Sequence, residues 1–174
     1  MGDMLIIFYG NIGAGKSTLA KGVAKRLRCP CITFDAVVPK IYRKKLYAPG
    51  KFLLTRSEIV KVYDLMHKLA KLEIRKRDHV VLESVYFKKQ RDAAIDLAKS
   101  VKQRWKLVHV ACSDSETKKR LVNRYRSNGQ TADYSLFLQY ELLMDKDSRK
   151  HITINTTGKT KAQCISETLG ALKF

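Results

Sequence analysis

The apolar positions change period along the chain. Met4 to Tyr9 (MLIIFY) is an unbroken apolar run, the pattern of a strand buried on both faces. From Lys16 to Arg28 the apolar residues recur at helical spacing, with Leu19, Val23 and Leu27 on one face, and Pro30 ends that stretch. Cys31 to Phe34 reads as a short strand ending at Asp35. Ala36 to Gly50 is basic and interrupted by Pro39 and Pro49. Ser57 to Arg77 predicts a long amphipathic helix with Ile59, Val62, Leu65, Met66, Leu69 and Leu72 as its stripe. His79 to Glu83 is a third strand, again apolar without alternation. Phe87 to Lys102 predicts a helix and Trp105 to Ala111 a fourth strand. Asp114 to Arg124 predicts a helix with Ser113 as N-cap and Glu116 at the capping-box position. The polar stretch Tyr125 to Asp133, which holds Gly129, reads as a loop. Ser135 to Lys146 reads as a helix, His151 to Asn155 as a fifth strand and Thr160 to Leu172 as a closing helix.

Strands alternating with helices predict a parallel sheet covered on both sides. The expected class is α/β, a P-loop NTPase-type three-layer α/β/α sandwich with a five-stranded sheet. It forms a single domain over residues 1–174, with a small lid at about 120–133. Ligands in such sheets gather at the C-terminal ends of the strands, where Gly10, Asp35 and Glu83 all fall. Between the first strand and the first helix stands Gly10-Asn11-Ile12-Gly13-Ala14-Gly15-Lys16-Ser17, a G-x-x-x-x-G-K-[ST] phosphate-binding loop in its confirming context. Residues without a Cβ let the backbone approach an anion, and the next helix adds its unpaired N–H groups. Gly10 through Ser17, with Thr18 behind them, are the candidate nucleotide site. Lys16 is placed for the β- and γ-phosphates and Ser17 for Mg²⁺.

Charge widens the choice of partner. Lys and Arg number 35 against 16 Asp and Glu, a formal net of +19. Such an excess concentrates anions, so nucleic acid is one candidate partner and ATP or a phosphorylated metabolite another. No run approaches the ~20 apolar residues of a membrane span, and no leader pattern opens the chain. The four cysteines, Cys29, Cys31, Cys112 and Cys164, make no zinc spacing. A cytoplasmic protein with reduced thiols and no membrane contact is expected.

Phosphoryl transfer needs a phosphate cradle, Mg²⁺, positive charge on the migrating group and a residue to orient the acceptor. Asp35 is the candidate base, with an N-cap for the following segment as its alternative role. Glu83 stands where phosphate-loop enzymes place the carboxylate that organises the metal shell; Ser84 and Tyr86 beside it are candidate acceptor contacts. Arg120 and Arg124, with Arg126, flank the polar loop, as arginines of a closing lid would. Thr156, Thr157 and Gly158 follow the last strand, where a loop can touch the nucleotide base. His67 and His109 lack metal-ligand company and read as packing residues. Tyr125, Tyr134, Phe137 and Tyr140 read as helix packing.

LIIFYGNIGAGKSTLAKGVAKRL resembles the opening of the small phosphate-loop kinases of the zeta-toxin, gluconate-kinase and polynucleotide-kinase kind. The resemblance continues through ITFD at Asp35, VVLESVYFKKQRDAAIDLAK, WKLVHVACSDSETKKRLVNR and ITINTTG at Ile152 to Gly158. It implies an ATP- and Mg²⁺-dependent kinase transferring the γ-phosphate to a hydroxyl of a small metabolite, nucleoside or nucleotide. Asp35 would be the base and Arg120 and Arg124 the lid arginines. Two departures stand out. Polynucleotide kinases of this kind carry Asp-x-x-Arg after the second strand, whereas Val38 stands at that spacing here and Arg43 is the next arginine along the chain. The usual Asp at the end of the third strand is Glu83. The long basic helix Ser57 to Arg77 occupies the place where such kinases build their acceptor site. A polynucleotide kinase using the basic surface, and a nucleotide-binding switch or RNA-binding ATPase without an acceptor, remain the alternatives.

Overall fold

The computed structural model describes residues 3–128, 132–144 and 147–173. At its centre is β1 (Met4–Tyr9), buried at every position. It pairs in parallel with β5 (His79–Glu83) on one edge and β6 (Arg104–Ala111) on the other. β2 (Cys31–Thr33) adds outside β5 and β7 (Ile152–Asn155) outside β6, giving the order β2-β5-β1-β6-β7, parallel throughout. A strand paired on both edges and covered on both faces has no solvent side, so β1 and β5 are continuous apolar runs.

Alternate β1 residues serve opposite layers. Met4, Ile6 and Phe8 pack with Leu19, Val23 and Ile165 from α1 (Lys16–Leu27) and α7 (Lys161–Leu172). Leu5, Ile7 and Tyr9 face a larger core. That core is built by α2 (Phe34–Ile41), α3 (Arg56–Ile74) and α4 (Lys88–Ser100). A Cβ on Gly22 of α1 would overlap the Ile165 side chain, so a bare backbone sets the approach of α1 to α7. A third cluster, Ile12, Leu121, Ala132, Leu136 and Phe137, seats α5 (Asp114–Asn128) and α6 (Tyr134–Leu143) over the loop after β1. The three-layer α/β/α sandwich with its five-stranded sheet is the expected one. No helix among the described residues is long and apolar enough to cross a membrane.

Several boundaries differ from the sequence reading. The second strand ends at Thr33, not Asp35: the Thr33 hydroxyl accepts from Ala36 N (3.3 Å) and caps α2, so Asp35 lies in the first turn of that helix. The N-cap role considered for Asp35 belongs to Thr33. Pro39 lies inside α2 rather than interrupting the segment, and there the helix forgoes the N–H that would answer the Asp35 carbonyl. The stretch around Pro49 is a hairpin, β3 (Tyr47–Ala48) and β4 (Lys51–Phe52), turned by Pro49-Gly50 with Gly50 at φ +65°. Proline then a positive-φ glycine is the type II turn signal. α3 begins one residue early because Thr55 and Glu58 form a reciprocal capping box. α5 runs on to Asn128, since the arginines of 124–126 favour helix. α6 spans Tyr134 to Leu143; the expected loop residue Gly129 and the expected helix end Lys146 lie outside the described residues.

Arg91 is the largest wholly buried side chain. Its Nε donates to Asp147 Oδ2 (2.7 Å), its NH1 donates to the Tyr86 carbonyl (2.6 Å), and the guanidinium lies over the Tyr9 ring at 4.7 Å. Arg149 grips the same carboxylate through Nε and NH2 and reaches Asp92 with NH1 (2.6 Å). The segment before β7 is thus tied to α4 and to the end of β1. Hydrogen bonds from Arg149, against the cost of burial, hold the Asp147 carboxyl below its ordinary 3.8. A depressed carboxylate contributes stability that is present above that ordinary value and fades as pH falls beneath it. Asp147→Asn is therefore expected to cost about 3 kcal/mol at neutral pH, because it removes the carboxylate charge that the buried Arg91 and Arg149 share. Thermal melts across pH should show the gap to wild type narrowing below pH 3.8; a gap independent of pH would contradict this account.

Candidate active site

The loop after β1 depends on an absent side chain. Gly10 has φ +142°, and a Cβ there would run into the Val110 carbonyl of β6. Gly15, at φ +93°, is the N-cap of α1 and supplies no side-chain cap, so the first-turn N–H groups of α1 are left for a ligand. Asn11 braces the loop: its Oδ1 accepts from Ile12 N (2.7 Å), and its Nδ2 donates to the Phe137 carbonyl (3.2 Å) and Glu141 Oε2 (2.6 Å) of α6. From the other side Thr156 Oγ1 donates to the Ala14 carbonyl (2.9 Å).

In front of the loop opens a cleft of about 1070 Å³. Ile12, Gly13, Gly15, Lys16, Ser17 and Thr18 form one end, and Asp35, Glu83 and Arg124 stand beside them. Lys16 is buried, and its Nζ donates to the Asn11 carbonyl (3.0 Å). Desolvation pulls the ammonium pKa down, opposed by the charges of Glu83 and Asp35, while Arg124 pushes the same way as burial. Desolvation pushes the buried Glu83 carboxyl up, and Asp35 adds to this; Lys16 and a hydrogen bond from Ser17 pull it back. A hydroxyl, a desolvated carboxylate and a second carboxylate are an all-oxygen donor set of the kind Mg²⁺ prefers. Ser17 and Glu83, with Asp35, thus fit a magnesium ion, although no three-residue His/Cys/Asp/Glu cluster occurs among the described residues.

The other predicted residues are placed differently. Gly10, Asn11 and Ala14 support the loop from behind. Arg120 does not line the cleft: its Nε donates to Glu116 (3.1 Å), and NH1 and NH2 donate to the Thr156 hydroxyl and carbonyl (2.9 and 3.0 Å). It lies against Gly15, on the side of the loop toward β7. The Thr157 hydroxyl accepts from Ser113 N (2.8 Å), and Gly158 turns the chain at φ +66°. Thr156, the first residue of the stretch after the last strand, joins Arg120 to the phosphate loop. Tyr134 and Phe137 stack at 5.4 Å as expected of packing rings, whereas Tyr125 is exposed and Tyr140 faces the cleft. His109 stacks on Tyr9 at 4.9 Å, consistent with packing. His67 does not simply pack: its ring stacks on Tyr86 and it lines the far half of the cleft.

The far half of the cleft lies along the long basic helix, where the resemblance puts an acceptor site. Arg56, Val60, Tyr63, Asp64 and His67 project from successive turns of α3, and Phe87 to Gln90 from the start of α4. The spacing 56, 60, 63, 67 follows one helix face. The resemblance names the helix but not this face, because a largely polar stripe on a basic helix looks like a solvated surface.

A family model described as an AAA domain matches residues 5–139. The chain belongs to the AAA domain family. The backbone of this AAA domain is similar to the gluconokinase of Sinorhizobium meliloti, with TM-score 0.68 and 19% identity over 98% of this chain and 91% of that one. It is similar also to a sugar kinase of a Janibacter species (TM-score 0.69, 16% identity, 99% and 95% covered). A third similar structure is the APS kinase of Mycobacterium tuberculosis with AMPPNP and APS (TM-score 0.71, 13% identity, 99% of each chain). At these identities the likeness establishes the fold, which is that of small phosphate-loop kinases. No curated protein matches the chain. Gly10→Ala should cost more than about 2 kcal/mol, read as a lowered Tm, because its Cβ meets backbone rather than a side chain that can move. An unchanged melt would mean the loop is not pressed against β6.

Proposed function

We propose that this AAA domain is an ATP- and Mg²⁺-dependent kinase that phosphorylates a hydroxyl group. The observation that carries the reading is the cleft's second compartment. A nucleotide switch needs only the loop and its lid, whereas here the cavity continues past Asp35 and Glu83 between α3 and α4. Lys16 would exchange its bond to the Asn11 carbonyl for the terminal phosphates of ATP. Asp35, in the first turn of α2, would accept the acceptor's hydroxyl proton. Arg124 would bring positive charge to the migrating group, while Arg120 would serve the nucleotide through Thr156, with Thr157 and Gly158 beyond. Ser17 and Glu83 would hold Mg²⁺, whose contribution when bound is to neutralise phosphate charge. A reducing cytoplasm suits the four free thiols.

The formal charge of +19 favours a polynucleotide acceptor as the second reading. Against it, Val38 is 1% exposed and packs into the core. The position where the resembling polynucleotide kinases carry their arginine therefore faces away from solvent.

Incubation with γ-labelled ATP and Mg²⁺ separates these readings. Label should move to a hydroxyl compound, and release of free phosphate alone would remove the kinase assignment. Asp35→Asn is expected to lower kcat by about 10²–10⁴-fold with ATP affinity intact; an unchanged kcat would take Asp35 out of the base role. Arg124→Ala should lower kcat more than KM for ATP, and Arg120→Ala the reverse. Equal effects of the two would break this division of labour.

A further inference from the structure

The far half of the cleft has a chemistry of its own. Its walls are largely aromatic. Phe34 packs on Tyr63 (5.2 Å between centroids) and on Phe52 (6.1 Å), and Tyr47 packs on Phe52 (5.4 Å). Phe87 and Tyr140 meet edge to face at 5.6 Å from other elements. All six rings line the cavity. Among them lie two buried polar atoms with no hydrogen-bond partner among the described residues, His67 Nε2 and Gln90 Oε1. Buried polar atoms are normally paired; both belong to residues that line the cleft, so a ligand edge pressed against this wall would supply the missing partners. Burial lowers the His67 pKa, which keeps the ring neutral and able to donate or accept. The Tyr63 hydroxyl is already satisfied by Ser84 (2.7 Å). The same half carries Arg56 and Lys89 beside Asp64, and also Lys88, whose Nζ donates to Asp92 (3.2 Å).

We propose that the phosphoryl acceptor is a nucleoside or nucleoside monophosphate, its base held between the aromatic walls and read by His67 and Gln90. This rests on the kinase reading and deepens it. A flat heteroaromatic ring is what aromatic faces stack, and its edge offers the few directed donors and acceptors that two polar atoms can answer. A polyol or sugar acid presents a hydroxyl on nearly every carbon, and an aromatic wall leaves most of those unpaired. The cations of α3 and α4 suit a 5′-phosphate. In the transfer, an acceptor ribose hydroxyl oxygen bonds to the γ-phosphorus as the bond from that phosphorus to the β–γ bridging oxygen of ATP breaks. The hydroxyl proton passes to Asp35, and ADP leaves.

The experiment has two stages. Calorimetry with ATP and Mg²⁺ comes first, and absence of uptake overturns the kinase reading together with this proposal. With ATP binding established, labelled transfer is compared across the four ribonucleosides, their 5′-monophosphates, gluconate and a short RNA. Label on a nucleoside or monophosphate is the expected result. His67→Ala and Gln90→Ala should then raise the acceptor KM by about tenfold each, the loss of one hydrogen bond, with KM for ATP unchanged, and His67→Gln should restore part of the loss. Preference for monophosphates over nucleosides that disappears in Lys89→Ala or Arg56→Ala supports the phosphate contact. Transfer to gluconate alone, to RNA alone or to no acceptor in the panel overturns the proposal while leaving nucleotide binding standing. An acceptor KM indifferent to both His67→Ala and Gln90→Ala overturns it as well.

Discussion

Where β1 leaves the sheet, the chain must pass against the carbonyl of Val110 with no room for a single extra carbon. Everything at the site follows from that passage. The backbone can turn there only because Gly10 adopts φ +142°, and the turn delivers the loop amides and the start of α1 to one point above the sheet. Parallel pairing on both edges of β1 then brings the ends of β5 and β6 to the same level. Glu83 thereby comes beside Lys16 without any long loop having to be ordered.

Burial gives that meeting its electrical character. An ammonium and a carboxylate are both taken out of water and held against one another, with Asp35 and Arg124 biasing them from the cleft. Each partner suffers from desolvation and is relieved by the other. Titratable groups perturbed in this opposed way gather at functional sites.

The sequence displays the sheet, the loop and the sandwich because these rest on local signals: apolar runs of strand length, glycines at fixed offsets, a helical period after them. It hides features whose meaning arises only on folding. Pro49-Gly50 is an ordinary turn signal, but nothing local says that its hairpin docks on α6, where Asp133 accepts from Gly50 N (2.6 Å) and Gln139 donates to its carbonyl (3.1 Å). Thr33 and Asp35 are two residues apart and exchanged roles, since a strand end and a helix cap look alike in a run such as ITFD. Arg120 and Arg124 share a face of α5, yet one is turned to Thr156 and the other to the cleft, a split that no pattern of charge announces. The α3 stripe from Arg56 to His67 looked solvated because its partner wall on α4 is more than twenty residues away in the chain.

The buried guanidinium of Arg91 bears on how this architecture can change over generations. It answers at once to Asp147, to the Tyr86 carbonyl and to the Tyr9 ring directly before the phosphate loop. An apolar residue at position 91 would remove one of the cations that hold the Asp147 carboxylate, and a neutral one at 147 would remove the anion that both arginines share. Each change costs stability by itself, so lineages bearing this pair are expected to inherit it together. Apolar walls of the cleft such as Phe34, Val60 and Phe87 have no charge to match and can vary one residue at a time while the phosphate loop stays put.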